Sequence, residues 1–124
     1  MTTKAHPRDE GFGREHRLTR RRDFERVYRE GVLLKNDFFR VYALFRGEEE
    51  LPRLGLSVSK RLGKAARRNR MKRWVREWFR RHKPELWGYD LVVQPKPAAA
   101  ELDYHGVCRN LEELLSQLQR DGRA

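Results

Sequence analysis

Between Lys60 and Lys83 the chain carries twelve basic residues against one acid, Glu77. The same stretch holds the clearest apolar period in the sequence: Met71, Trp74, Val75, Trp78 and Phe79 recur at i, i+3, i+4, i+7 and i+8. That spacing gathers apolar side chains on one face of a helix, which the sequence predicts from just after Gly63 to Lys83, stopped by Pro84. At 3.6 residues per turn, Asn69, Arg73, Arg76 and Arg80 fall on the opposite face, flanked by Arg70 and Lys72. One face must therefore pack against a core while the other stays accessible. Solvated helix faces usually interleave both signs so that charges pair at i, i+4, whereas like charges at these spacings repel. With almost no acid to pair, the segregated cations point to a polyanionic partner.

The remaining elements follow from shorter periods. Phe24, Val27 and Tyr28 mark a first helix, opened by Thr19 as N-cap and closed by Gly31. Val32 to Lys35 reads as a brief strand, and Phe38 to Arg46 as a longer one. Phe39, Val41, Ala43 and Phe45 of that strand point to the core, and Phe38, Arg40, Tyr42 and Leu44 point the other way. After the acidic turn Gly47 to Pro52, Leu54, Leu56 and Val58 alternate with Gly55, Ser57 and Ser59 in a third strand, so small residues line its second face. Tyr89 to Gln94 forms a last strand, ended by Pro95 and Pro97. Asp103 caps a final helix with the stripe Val107, Leu111, Leu114, Leu115 and Leu118. At 124 residues the chain suits one domain, residues 18–120, preceded by a flexible tail at 1–17 without apolar period.

The net charge of +11 and pI near 10.5 make nucleic acid the leading partner, although composition cannot separate RNA from DNA. No apolar run is long enough to span a bilayer and the first residues lack a signal-peptide core, so a soluble, cytoplasmic protein is expected. The single cysteine, Cys108, excludes an internal disulfide and a cysteine-based zinc site, and its place on the last helix reads as core. Catalysis by the chain itself lacks its usual parts. His6, His16, His82 and His105 offer no acid–base pair: the first two fall in the tail, and the others at helix ends, as surface residues. The acids gather in the Glu48 to Glu50 turn and on the last helix, away from the basic face, so no catalytic or metal-binding residue is assigned.

The run Gly55-Leu56-Ser57-Val58-Ser59-Lys60-Arg61-Leu62-Gly63-Lys64-Ala65-Ala66-Arg67-Arg68-Asn69-Arg70-Met71-Lys72-Arg73 resembles the signature of the bacterial ribonuclease P protein family, including its Arg-Asn-Arg element. Asp23-Phe24 with Tyr28 and Gly31 resembles the family's first helix, and Tyr89-Asp90-Leu91-Val92-Val93 its last strand. The resemblance implies an α+β domain of order αβββαβα, with three helices, a four-stranded sheet and a left-handed βαβ crossover, against the general right-handed rule. It also implies a subunit that binds ribonuclease P RNA through Lys60, Arg61, Lys64, Arg67, Arg68, Asn69, Arg70, Lys72, Arg73, Arg76 and Arg80. The RNA would carry the catalytic metals, with Mg2+ required by the assembled enzyme, and would remove the 5′ leader of precursor tRNA. No membrane and no obligate protein partner are implied.

The resemblance further implies a cleft for the leader between the first helix and the sheet. Phe24 and Tyr28, one turn apart, and Arg40 and Tyr42, on one strand face, supply the stacking surfaces and the cation that unpaired RNA needs, with Ser57 and Ser59 of the third strand. Helical aromatic pairs such as Phe24 and Tyr28 are more commonly core. Tyr28 and Arg40 also depart from the family pattern, where a hydrophobic or phenylalanine-like residue is more usual. The alternative from another class is a ribosomal or general structured-RNA-binding protein, which needs the basic helix but no cleft. A nuclease acting without RNA is a third.

Overall fold

The structure is a computed structural model that describes residues 13–122. Its order is α1 (Arg21–Glu30), β1 (Val32–Lys35), β2 (Phe39–Phe45), β3 (Arg53–Leu56), α2 (Ala65–Arg81), α3 (Lys83–Leu86), β4 (Tyr89–Pro95) and α4 (Tyr104–Gln117). The four strands form one mixed sheet in the order β1-β2-β4-β3, in which only β3 and β4 are parallel. Parallel neighbours cannot be joined by a hairpin, so α2 and α3 make the crossover between them. The expected α+β architecture and element order hold, with α3 as an additional helix. Pro84 does not simply stop α2: the chain leaves helical geometry at His82, and Pro84 stands in the first turn of α3, where its missing N–H is harmless.

Both faces of the sheet are covered. The main core lies on one face, where α2 contributes Met71, Val75, Trp78 and Phe79, and α4 contributes Val107, Leu111, Leu114 and Leu115, with Leu118 just past its end, against Leu34, Phe39, Val41, Leu91 and Val93. Both helical stripes are those the sequence predicts, and Asp103 caps α4 by accepting the Gly106 N–H at 2.8 Å. Cys108 and Trp74 lie half-buried at the margin of this core. On the other face α1 covers a smaller cluster of Val27, Leu18, Leu44 and Val92, with Phe24 and Tyr42 against it. Gly55 lets α1 dock closely, since a Cβ there would stand 2.6 Å from the Phe24 ring.

Several local expectations are corrected. Thr19 is not the N-cap of α1; Arg20 holds that position, and its carbonyl accepts the Asp23 and Phe24 N–H groups without a side-chain cap. Phe38 precedes β2, in a turn where the Asn36 side chain accepts its N–H, and packs against the main core rather than beside Arg40. Phe45, on the last rung of the β2–β4 ladder, is 45% exposed and meets only the edge of the core at Tyr89, ring centroids 5.1 Å apart. Leu44 is buried instead, because α1 covers its face. β3 ends at Leu56, so Val58 and Ser59 lie beyond it.

The segment before α1 is structured from Gly13 onward, where a mobile tail to residue 17 was expected; residues 1–12, with His6, lie outside the described residues. Arg14–His16 form a helical turn, Arg17 bridges to Leu54, and the Leu18 N–H bonds the Leu54 carbonyl at 2.9 Å. His16, expected at the surface, is only 5% exposed. Its Nδ1 donates to the Pro52 carbonyl at 2.8 Å, and Lys83 Nζ lies 3.3 Å from its Nε2. A polar segment without apolar period is thus anchored by one imidazole satisfied on both nitrogens.

Candidate nucleic-acid interface

The sequence that makes α2 amphipathic also divides its cations. Lys60, Arg61, Lys64, Arg67, Asn69, Arg70 and Arg73 are exposed, and Arg68, Lys72, Arg76 and Arg80 are half-buried. Along the first turns no described acid pairs with Lys64, Arg67, Lys72 or Arg73, so their field is left for an external anion. Arg68 is held differently, its Nε donating to the Gly63 carbonyl at 3.1 Å. The Arg70 guanidinium lies 5.1 Å over the Trp74 ring. At the far end Glu77 accepts from Arg80 at 2.5 Å and from Arg81 at 2.9 Å, and these bonds, Arg80's first, hold its carboxyl below the usual carboxylate range. The strongest unpaired field therefore belongs to the N-terminal half of α2, with Arg80 at its tied-down end.

One flank of α2 borders a groove of about 180 Å³ lined by Arg17, Leu18, Thr19, Phe24, Leu54, Leu56, Lys72 and Arg76. Burial, and then the charge of Arg17, lowers the Arg76 pKa from its ordinary value. Two guanidinium groups and an ammonium thus converge on a partly apolar trough, a cationic surface suited to an anion. Sequence reasoning missed Arg17. Nothing local marks it; only the docking of the N-terminal segment alongside β3 brings it opposite α2.

The same groove opens toward the aromatic side of α1. Phe24 and Tyr28 have ring centroids 6.4 Å apart, and Tyr28 meets Tyr42 edge-on at 4.8 Å. Tyr28 is 36% exposed, and its hydroxyl accepts from Gln94 Nε2 at 3.0 Å. Gln94 stands across the β2–β4 ladder from the exposed Arg40, so a polar pair borders the aromatic one. Sequence reasoning passed over Gln94, although an uncharged polar residue inside an otherwise apolar central strand was the available signal. Ser57 extends the β3–β4 pairing by one bond to the Val93 carbonyl and shares the face of Gly55. The Ser59 hydroxyl instead accepts the Arg61 N–H at 3.0 Å, capping the turn before α2; the structure does not bring it to the aromatic residues.

His16 is buried in its own contacts, His82 stacks on Trp78 and bonds the Trp78 carbonyl, and the exposed His105 opens α4. Among the described residues no three His, Cys, Asp or Glu side chains gather to hold a metal ion. No described helix is long and apolar enough to cross a membrane.

Comparison with known proteins bears on this geometry. The family model described as Ribonuclease P matches residues 12–119. The ribonuclease P protein component of Thermotoga maritima is 42% identical over 116 residues, covering 89% of this chain and 97% of that protein. That of Geobacillus thermodenitrificans is 40% identical, covering 89% and 94%. Among solved structures, the Staphylococcus aureus RNase P protein superposes with a TM-score of 0.78 at 35% identity, over 84% of this chain and 95% of that one. The Thermotoga maritima RNase P protein superposes with a TM-score of 0.72 at 40% identity, over 82% and 96%.

Proposed function

Because the chain belongs to the ribonuclease P protein family, we propose that its surfaces divide one task in tRNA 5′ maturation between two RNA molecules. The protein partners with ribonuclease P RNA, and the cations of α2 are the surface we assign to that RNA. Lys60, Arg61, Lys64, Arg67, Asn69, Arg70 and Arg73 meet it outright, Arg68, Lys72 and Arg76 from the flanks, and Arg80 as the weakest contact because Glu77 already holds it. The observation that carries this reading is the unpaired cationic face of a helix whose other face is committed to the core.

The leader of precursor tRNA is assigned to the groove and the adjoining aromatic cleft. Its unpaired bases stack on Phe24, Tyr28 and Tyr42, with Arg17, Arg40, Gln94 and Ser57 at the edge. Stacking and backbone cations together are what single-stranded RNA binding requires. Bond cleavage, with its Mg2+, we assign to the RNA, since among the described residues no three His, Cys, Asp or Glu side chains gather to hold a metal ion, and His16 and His82 are each bonded to a backbone carbonyl. A general structured-RNA-binding role would leave the cleft unused.

The test combines purified protein with its cognate ribonuclease P RNA. At low magnesium the mixture should release the leader from precursor tRNA while neither component does so alone. Cleavage by RNA-free protein that a point substitution abolishes would overturn the assignment of chemistry to the RNA.

A further inference from the structure

On the flank of α2 opposite the groove lies a hollow of about 480 Å³ lined by Gly63, Lys64, Ala66, Arg67 and Arg70. Lys72 faces the groove, and Trp74, two residues on, points about 200° away around the helix axis, so the two recesses do not share a wall. The hollow exists because its floor is small. Gly63 turns the chain at φ 138°, and Ala66 leaves room where most exposed helical positions carry a long side chain.

Its far wall is a layered stack. The Tyr104 ring meets Trp74 edge-on at 6.0 Å, and the Arg70 guanidinium lies 5.1 Å over the Trp74 ring. A guanidinium backed by a ring is a flat, preoriented surface on which a base can stack. Lys64 and Arg67, neither paired with a described acid, line the same hollow as Arg70.

We propose that this hollow takes one unpaired nucleotide of the ribonuclease P RNA, its base stacked on Arg70 and its phosphate between Lys64 and Arg67. The inference rests on the assignment of α2 to that RNA and adds that Arg70 reads a flat base rather than a point charge. Trp74, with Tyr104 behind it, is the positioning residue that holds the guanidinium in plane. The volume suits this occupant, since a site for one nucleotide falls in the ordinary range of small-ligand recesses, roughly 300–1,000 Å³.

The experiment measures affinity of the full protein for its cognate ribonuclease P RNA across several salt concentrations. Lysine keeps the charge of arginine and lacks its plane. Arg70→Lys should therefore lose about tenfold in affinity, nearly as much as Arg70→Ala, while keeping the parent's salt slope. Arg73→Lys, by contrast, should recover most of what Arg73→Ala loses. Ala66→Leu, on an exposed helical position, fills the hollow without touching any charge and should weaken binding by about fivefold or more. Arg70→Lys and Ala66→Leu variants that both bind like the parent would overturn the proposal and leave Arg70 as a phosphate contact. Loss of effect from Arg70→Ala and Arg73→Ala alike would instead sink the assignment of α2 to the RNA.

Discussion

Tyr28 is the residue at which the two readings of a helical aromatic part company. Its neighbour Phe24 packs into the small core under α1, as helical aromatic pairs commonly do, but Tyr28 keeps an accessible ring and a hydroxyl bonded to Gln94. Tyr28→Ala or Tyr42→Ala should leave assembly with ribonuclease P RNA intact and weaken precursor tRNA binding by roughly 1–3 kcal/mol. Mature tRNA, which lacks a leader, should bind as before. Holoenzyme affinities for both tRNA forms, with circular dichroism to verify folding, decide the matter; equal affinities in folded variants would make both tyrosines mere surface. At Cys108 the structure argues for inertness. Burial first, partly offset by a bond to Tyr104, pushes the thiol pKa up, so less thiolate forms at a given alkaline pH than in the unfolded chain. Alkylation at pH 8 should accordingly run several-fold slower in the native protein than in denaturant.

At the scale of elements, α2 is two objects in one: a core helix along Met71, Val75, Trp78 and Phe79 and a cationic rod along its outer side. Replacing Arg73 with Ala should lower affinity for ribonuclease P RNA whatever the leader length, and reduce the salt slope by about 0.7–0.9. An unchanged slope would mean that Arg73 meets no phosphate. This division was legible in the sequence because period and charge coincide over a long helix. The stripe of α4 and its Asp103 cap were legible for the same reason. What stayed hidden depends on long-range docking. Leu44 looked like surface and Phe45 like core because alternation alone cannot tell that α1 covers one face of β2, or that on the other face the last rung of the strand lies at the edge of the core. Arg17 and His16 looked like tail because their partners, Leu54, Pro52 and Lys83, are distant in sequence. Ser59 was placed by alternation in a strand that ends earlier.

The whole molecule is tied together at Asp90, 1% exposed at the start of β4. Its carboxylate accepts from Arg46 at 2.9 Å and from Arg53 at 2.9 and 2.8 Å, joining the end of β2, the start of β3 and the central strand in one knot. The bond from Asp90 in turn raises the Arg53 pKa. Asp90→Asn removes the charge but leaves two guanidinium groups facing each other, so it should cost about 3–5 kcal/mol in denaturant unfolding. A loss below about 1 kcal/mol would show that solvent already screens the cluster. The crossover geometry has a consequence for the protein's lifetime. α2 is both the link between the parallel strands β3 and β4 and the element crowded with like charge. RNA gripping α2 as proposed would stabilise the native state by mass action, and a copy without RNA would keep its full self-repulsion. Proteases act on the opened state, so limited proteolysis of the purified protein should run slower with its ribonuclease P RNA than without it.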